Sequence, residues 1–284
     1  MINLITFGTA TEDIGIGMKK IQPEVFEQFH VDDYIPALVV NHTHKTRNHS
    51  EYEEIAQSID LDLTNGTNLF ILNPSSDVSG ALLVLLEKTE RKDNQVICIL
   101  SDFDFLSKTQ IEQTKFVVNV LQELARSGAI GQLVLINQKY IEKYIPNLSI
   151  KDYYKQIDGY IATTLSTWLW CQEVDSLINN SIDRIETTRI STLGFYDLEE
   201  NKIHLFSDLT FTGSSGTFPL EIDFYFILDK ETIENGNELM NQIKQSIKDK
   251  KQQEFEGASI GFKILEGPAN FTLTHVRTSK IQSI

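Results

Sequence analysis

The stretch LFILNPSSDVSGALLVLLEK, Leu69 to Lys88, decides how the sequence is interpreted. An apolar run typical of a buried parallel strand leads into a short polar loop, and an apolar helix follows. This order is where α/β proteins often hold a phosphate, because backbone N–H groups at the helix start point at the anion. The loop has only one glycine, Gly80, and it carries an acid, Asp77. The stretch therefore indicates either a phosphate site or the remains of one.

The first half of the chain alternates predicted strands with predicted helices. Five apolar runs are typical of strands: INLITFG (2–8), ALVVN (37–41), NLFILN (68–73), QVICIL (95–100) and QLVLIN (132–137). The helix predicted over 109–128 has one apolar face and ends at a glycine; these residues are Ile111, Val117, Val120, Leu121, Leu124 and Gly128. The alternation predicts a doubly wound parallel sheet with right-handed crossovers.

The pattern changes after Pro146. Apolar residues recur at helical intervals from Ile150 and predict a long helix to about Cys171, with Trp168 packed in the core. Strand patterns follow at 193–198, 202–211, 218–228, 258–265 and 269–278, with one helix at about 231–251. We therefore predict an α/β chain in three parts: a nucleotide-binding-like half (1–148), a long central helix with its following loop (149–190), and a smaller α/β half with a mixed sheet (191–284).

Composition and charge disfavour several classes of function. The 284 residues are 41% hydrophobic and 23% charged, which is typical of a globular protein. A formal net charge of −15 argues against a nucleic-acid partner, whose phosphates would be repelled. The longest apolar run, ALLVLL, is too short to span a bilayer, and no signal peptide or extended tail is recognisable. We expect a cytoplasmic protein without direct membrane insertion, whose two cysteines are packed thiols.

Two short motifs have ordinary explanations. The segment NHTHKTRNH contains His42, His44 and His49, but no cysteine or carboxylate is suitably spaced to complete a metal site. A solvated loop is the better interpretation, and no metal ligand or catalytic residue is assigned. The segment GSSGT, 213–217, lies between two strand-like runs, so a hairpin turn is predicted.

The order of these parts resembles the FtsZ/tubulin superfamily. The segment 98–141 resembles the family's strand, aromatic loop, helix and asparagine-containing strand end. SIKDYYKQIDGYIATTL, 149–165, resembles the start of the family's core helix, and 218–278 resembles its closing strand–helix–strand–strand. The resemblance covers nearly the whole chain, by pattern more than by identity. It implies a polymer-forming protein with a guanine-nucleotide site.

The resemblance places phosphates beside loops that are poor in glycine here. Gly8 and the loop residues Ser75, Ser76, Ser79 and Gly80 match the phosphate-binding positions. Pro74 has no N–H to donate, and acids stand nearby at Glu12, Asp13 and Asp77. Two like charges about 4 Å apart cost on the order of 1 to 4 kcal/mol. Phosphate binding is therefore expected to be weak rather than absent.

The residues that would recognise the base match the family better. Asn137 falls at the strand end where the family places an asparagine for guanine, and Tyr154 falls where an aromatic ring stacks on the base. Asp158 falls where an acceptor for the base edge is expected, and a carboxylate accepts from both N–H groups of guanine. A competing interpretation remains open, in which Tyr154 and Asp158 are simply i,i+4 neighbours on a helix surface.

The loop after the core helix is where the family supplies acids to the nucleotide of the next subunit. Asn179 matches the expected interaction loop, but Ser181 and Arg184 stand at the positions of the two acids. A shift of one residue would let Asp183 serve instead. The resemblance thus implies little or no GTP hydrolysis.

Three functions remain as hypotheses. The first is an FtsZ/tubulin-like assembly or interaction protein with a degenerate nucleotide site, weak binding of GTP or GDP, and no other cofactor. Its partner is another copy, stacked head to tail, or a related polymer-forming protein. The second is an active GTP-hydrolysing cytoskeletal subunit. The third is an unrelated doubly wound binding module.

Overall fold

The computed structural model describes residues 2–21, 49–57, 66–89, 91–180, 185–210, 212–213, 216–217, 219–250 and 257–284. These residues form two compact units. The first contains the described residues up to Thr167 together with Ile281–Ile284, and the second is Trp168–Lys280. The division into 1–148, 149–190 and 191–284 stays a prediction from the sequence.

The first unit contains a parallel sheet with helices between its strands, as predicted. In chain order its elements are β1 (Ile2–Phe7), α1 (Thr9–Lys20), α2 (His49–Gln57), β2 (Thr67–Leu72), α3 (Ser79–Thr89), β3 (Arg91–Leu100), a 3-10 turn (Phe103–Phe105), α4 (Lys108–Ser127), β4 (Ile130–Asn137), α5 (Gln138–Glu142) and the part of α6 (Tyr153–Glu173) up to Thr167. The strand order is β1-β2-β3-β4, and each neighbouring pair is parallel. The strand predicted at 37–41 lies outside the described residues.

Continuous burial explains why these strands read as unbroken apolar runs. The side chains of β2 from Leu69 to Leu72 are fully buried, as expected for a parallel strand covered on both faces. Four of the predicted runs, 2–8, 68–73, 95–100 and 132–137, are strands within a few residues of the predicted bounds. The opening stretch therefore folds as β2, a loop and α3.

Helix α4 begins with a capping box and ends at a glycine. Ser107 Oγ accepts from the N–H of Gln110, and the Gln110 side chain accepts from the N–H of Ser107. Gly128 is left-handed at φ 83° and closes the helix, which confirms the predicted end. Val117 and Leu121 are buried as predicted. Three other predicted residues of the apolar face are only half-buried: Ile111, Val120 and Leu124. The buried face also includes Thr114, Val118, Gln122 and Ala125.

A ladder of buried amides joins three strands of the first unit. Asn3 Nδ2 donates to Asn68 Oδ1 at 2.8 Å, and Asn68 Nδ2 donates to Asn94 Oδ1 at 2.9 Å. Asn94 Nδ2 in turn donates to Thr89 Oγ1 at 3.2 Å. All three asparagines are buried. The ladder therefore places satisfied polar groups inside an otherwise apolar sheet.

Helix α6 is the long helix predicted from the sequence. It begins three residues later than Ile150 and ends two residues beyond Cys171. Ile157, Ile161 and Leu165 are fully buried along it, as their helical spacing predicted. Trp168, which begins the second unit, is fully buried and donates through Nε1 to His275 Nδ1 at 3.4 Å. Both cysteines are free and buried, and burial raises the pKa of each thiol.

The second unit contains a mixed sheet, as predicted. Its further elements are β5 (Ile178–Asn180), β6 (Ile190–Asp197), β7 (Lys202–Leu205), β8 (Thr212–Gly213), β9 (Gly216–Thr217), β10 (Leu220–Leu228), α7 (Lys230–Asn235), α8 (Asn237–Asp249), β11 (Ser259–Glu266) and β12 (Phe271–Thr278). Strands β6, β12, β10, β11 and β5 lie side by side, and β7 pairs with β6. Only β10 and β11 are parallel among these pairs.

Two predicted elements differ from the observed ones, one in its length and one in its continuity. The strand predicted over 202–211 stops at Leu205, because pairing with β6 runs only from Asp197↔Lys202 to Gly194↔Leu205. The helix predicted over 231–251 is divided at Gly236, which ends α7 and precedes α8. The predicted turn at 213–217 is confirmed by the antiparallel pairing of β8 with β9.

A buried charge network lies inside the second unit. Arg277 Nε donates to Glu221 Oε2 at 2.9 Å, and its Nη2 lies 2.8 Å from Asp223 Oδ2. Glu221 also accepts from the N–H of Ile185 and the hydroxyl of Thr188. A buried carboxylate needs such partners to remain charged. Glu221 therefore fixes the chain at 185–188 to strands β10 and β12.

Helices of the described part of the chain are either too short or too polar to cross a membrane.

Candidate functional site

The predicted nucleotide-binding residues of the first unit lie where its parallel strands end. Gly8 follows β1, the loop 73–78 follows β2, and Asn137 ends β4. The carboxyl ends of neighbouring parallel strands meet at one edge of a sheet, which is where α/β proteins bind ligands. The fold therefore gathers these residues at one edge.

Because Gly8 has no side chain, the loop after β1 and the loop after β2 can lie close together. Its φ of 87° is left-handed, and a Cβ at this position would lie 2.5 Å from Ser76 Oγ. The same Cβ would lie 3.4 Å from Val78 Cγ2. The space beside Gly8 is thus filled by protein atoms of the second loop.

The loop after β2 uses its own N–H groups. Asn73 Oδ1 accepts from both the N–H and the hydroxyl of Ser75, at 3.0 and 2.7 Å. The N–H of Ser76 donates to the carbonyl of Asn73, and the N–H of Ser79 donates to the carbonyl of Ser76, each at 3.0 Å. Pro74 has no N–H. The N–H groups of Ser75, Ser76 and Ser79 are therefore already engaged by acceptors of the loop.

Ser79 and Gly80 pack against side chains of other helices and do not line an open phosphate site. Ser79 is fully buried, and its Oγ accepts from Gln113 Nε2 of α4 at 2.9 Å. Gln113 Nε2 also donates to the carbonyl of Ser76 at 2.7 Å. A Cβ on Gly80 would lie 2.6 Å from the ring of Tyr52 in α2, so the absent side chain admits that ring. Gly80 therefore allows two helices to pack closely.

The three acidic residues expected near the phosphates lie in the loop after β2 and at the start of α1. Asp77 is exposed at the tip of the loop after β2. Glu12 and Asp13 lie in the first turns of α1, where negative charge is favourable beside the helix N-terminus. Gly8 occupies the cap position of α1 and has no side chain to accept a bond from the first turn.

Asn137 acts as a helix cap. Its Oδ1 accepts from the N–H of Lys139 at 3.0 Å, at the start of α5. Lys139 Nζ in turn lies 3.1 Å from Asp104 and 3.3 Å from Asp102, and these two carboxylates raise the lysine pKa. The Asn137 side chain therefore caps α5, and the same amide group would have to make the predicted contact with a base.

Tyr154 and Asp158 differ in exposure although both lie on α6. Tyr154 is 63% exposed and makes an edge-to-face contact with Tyr153, at 5.0 Å between ring centroids. Asp158 is buried, and its Oδ1 has no hydrogen-bond partner among the described residues. Burial and the nearby charge of Asp13 raise the pKa of Asp158 to about 7. An unpartnered buried carboxylate is the site's strongest indication of a missing donor.

The loop predicted to contact the next subunit is only partly described. Asn179 lies in β5, where its backbone pairs with Lys263 of β11. Ser181 and Asp183 lie outside the described residues, as do His42 and His44 of the histidine segment. Large apolar side chains flank the loop on both sides, with Leu177 54%, Ile178 45% and Ile185 37% exposed.

Sequence reasoning missed the residues that close the loop after β2. Asn73 precedes Pro74, and Asn-Pro is a turn signal from which its role was predictable. Gln113 contacts the loop and Tyr52 packs against Gly80 at the start of α3, and no local pattern in the sequence indicates either contact.

Comparison with known proteins identifies the fold. No protein-family model and no curated protein sequence matches the chain. Among solved structures, the chain is similar to an empty FtsZ dimer of M. jannaschii (TM-score 0.60, 11% identity, covering 98% of this chain and 87% of that one). It is similar to a GTPγS-bound protofilament of CetZ2 from Haloferax volcanii (0.62, 13%, 98% and 92%) and to a GTPγS-form protofilament of TubZ from Bacillus thuringiensis serovar israelensis (0.62, 10%, 99% and 87%). The chain therefore has the FtsZ/tubulin fold, as the order of its elements predicted.

Proposed function

We propose that this chain is a self-assembling subunit of the FtsZ/tubulin type whose nucleotide site is degenerate. In this proposal GTP or GDP binds weakly and is hydrolysed little or not at all. The observation that carries the proposal is the self-bonded loop after β2, in which the N–H groups of Ser75, Ser76 and Ser79 already have acceptors within the loop.

The energetics support weak phosphate binding. Presenting these N–H groups to a phosphate means breaking existing hydrogen bonds, each worth about 1 kcal/mol. The exposed carboxylate of Asp77 adds like-charge repulsion, on the order of 1 to 4 kcal/mol at about 4 Å. Because about 1.4 kcal/mol is tenfold in affinity, the combined effect weakens binding by several orders of magnitude.

Asp158 favours a second candidate, an active GTP-binding and GTP-hydrolysing subunit. Its buried Oδ1 has no partner among the described residues and is suited to accept from the N–H groups of a guanine edge. The first proposal retains this contact as the source of the remaining affinity. The long helix α6 and the fold argue against the third hypothesis, an unrelated binding module.

Exposed apolar side chains support self-association. The first unit exposes Phe105 (76%) and Phe116 (64%), and the second exposes Leu177 and Ile178 beside the expected interaction loop. Two different apolar surfaces are suited to a heterologous contact, which propagates as a filament when the rotation does not close. The similar structures named above include a dimer and two protofilaments.

A titration with fluorescent GTP, followed by anisotropy, tests the nucleotide part of the proposal. We expect a dissociation constant well above micromolar for the unaltered chain. Asp77→Asn removes the loop charge and is expected to tighten binding by at least about fivefold, the equivalent of about 1 kcal/mol. Asp93→Asn, which removes an exposed acid from the start of β3, is the control and should leave the constant unchanged.

Submicromolar affinity would contradict the degenerate site and favour the active GTPase. Release of phosphate from GTP that rises steeply with protein concentration would do the same, because hydrolysis would then need contact between subunits. An Asp77→Asn variant that binds no better than Asp93→Asn would show that Asp77 does not face the phosphates.

A further inference from the structure

The β6–β7 hairpin of the second unit brings together three side chains that can ligate a metal. Asp197 ends β6, Glu200 lies in the turn, and His204 lies in β7. One ligand atom from each lies within 4.8 Å of the other two. The set combines an imidazole with two carboxylates, which distinguishes it from an ordinary exposed cluster of acids.

The distances suit a small cation. Three atoms within 4.8 Å of one another share a central point no more than about 2.8 Å from each. Zinc bonds to histidine nitrogen and carboxylate oxygen are about 2.0 to 2.2 Å long, so side-chain movements below about 1 Å complete the site. His204 Nε2 and Glu200 Oε2 are 3.9 Å apart, too far for a hydrogen bond and suitable for a bridging ion.

Two of the ligands are held in place by their surroundings. Asp197 Oδ1 accepts from the N–H groups of Glu199 and Glu200, at 2.8 and 2.9 Å. The His204 ring stacks on Phe195, with centroids 4.7 Å apart and an angle of 20° between the rings. The His204 side chain is 18% exposed, whereas Glu200 is 64% exposed and free to close over an ion from solvent. Fixed ligands lower the ordering cost of binding.

We infer that Asp197, Glu200 and His204 form a zinc-binding site at the turn of the β6–β7 hairpin. The three protein ligands leave a fourth position for water, and the bound ion ties the turn to both strands. The sequence alone does not indicate this metal site, because the three residues stand at i, i+3 and i+7, a spacing that matches no recognised metal-binding motif. The inference does not depend on nucleotide binding or on assembly.

Competition with a chromogenic chelator measures the zinc affinity of the full chain without a histidine tag. We expect one zinc ion per chain. His204→Ala and Glu200→Gln should each raise the dissociation constant by at least about tenfold, since even residues that only hydrogen-bond to a metal ligand contribute tenfold or more. Asp197→Asn keeps an oxygen that can accept the two turn hydrogen bonds but loses the charge, and it should weaken zinc binding without unfolding the hairpin.

Glu199→Gln is the matched control, because it removes an exposed neighbouring carboxylate that is not part of the cluster, and it should bind zinc as the unaltered chain does. The variant with His42, His44 and His49 all changed to alanine should also retain zinc. Zinc should raise the melting temperature of the unaltered chain and not that of His204→Ala. The inference is overturned if Glu200→Gln and His204→Ala bind zinc normally, if the triple histidine variant loses it, or if equimolar Mg²⁺ displaces it.

Discussion

Asp158 differs from an ordinary surface carboxylate because it is buried and its Oδ1 has no hydrogen-bond partner among the described residues. Burial, assisted by Asp13, raises its pKa from 3.8 to about 7. The folded chain therefore holds a proton here that the unfolded chain releases near pH 4. Stability from this group is present at acid pH and is lost as the pH rises towards and past 7.

Replacing Asp158 by asparagine removes the charge that is costly to bury. A pKa raised by about 3 units corresponds to about 4 kcal/mol, so we expect Asp158→Asn to be more stable than the unaltered chain by about 2 to 4 kcal/mol at pH 8. At pH 4 the difference should nearly vanish. Urea unfolding at both pH values measures the difference, with the exposed Asp152→Asn as control. Equal stabilities at pH 8 would contradict the raised pKa.

At the scale of single residues, the sequence predicted where the candidate residues lie in the fold better than it predicted their contacts. The positions of Gly8, Asn137 and Asp158 follow from which strands and helix they border, and periodicity predicts those borders. Their partners do not follow, because Asn137 caps α5 and Gly80 admits the ring of Tyr52. Contacts between residues distant in the chain leave no local pattern in the sequence.

At the scale of elements, the amide ladder of Asn3, Asn68 and Asn94 makes three strands of the first unit interdependent. Asn68 both accepts from Asn3 and donates to Asn94. Removing it takes away the acceptor of Asn3 Nδ2 and the donor to Asn94 Oδ1, and losing the partner of a buried polar group costs about 1 to 3 kcal/mol. The same groups cost little when all of them are replaced by apolar side chains of similar shape.

We expect Asn68→Ala to lower the free energy of unfolding by about 2 to 4 kcal/mol. Changing all three asparagines to valine should recover most of this loss. Asn119→Ala, at an exposed position of α4, should stay within about 0.5 kcal/mol of the unaltered chain. Chemical denaturation measures each value. If Asn68→Ala is as stable as Asn119→Ala, the ladder contributes nothing.

The predictability of the elements depended on how fully they are buried. Strands β2, β3 and β4 were located from continuous apolar runs because both of their faces are covered. The C-terminal end of β7 and the division of α7 from α8 at Gly236 were missed. These boundaries are set by strand pairing and by one backbone position, and hydrophobic periodicity carries neither.

At the scale of the whole molecule, the proposal predicts assembly that does not respond to nucleotide. Sedimentation should pellet the same fraction of protein with and without GTP. Leu177→Lys places a charge on the apolar surface beside the expected interaction loop and should abolish pelleting, since burying an unpaired charge is costly. A lysine at the exposed position of Gln245 in α8 is the control and should pellet normally.

Pelleting that appears only with GTP would favour the active GTPase, and normal pelleting of Leu177→Lys would exclude its surface from the contact. The overall fold was predictable from the order of elements even though identity with the similar structures is only 10 to 13%. Order and burial survive extensive substitution, because a core needs only apolar residues of about the right size. The assembly contact was not predictable to the same depth, since surface residues are not constrained in this way.

The carboxylate of Glu221 makes two different kinds of contact in the second unit. It neutralises the buried guanidinium of Arg277 and holds the backbone of Ile185, just beyond the expected interaction loop. Replacing Glu221 would therefore release the backbone of Ile185 and leave the ion pair with Asp223 as the remaining anionic contact of Arg277 among the described residues. A single substitution here would act on the interior of the second unit and on the segment beside the expected interaction loop at the same time.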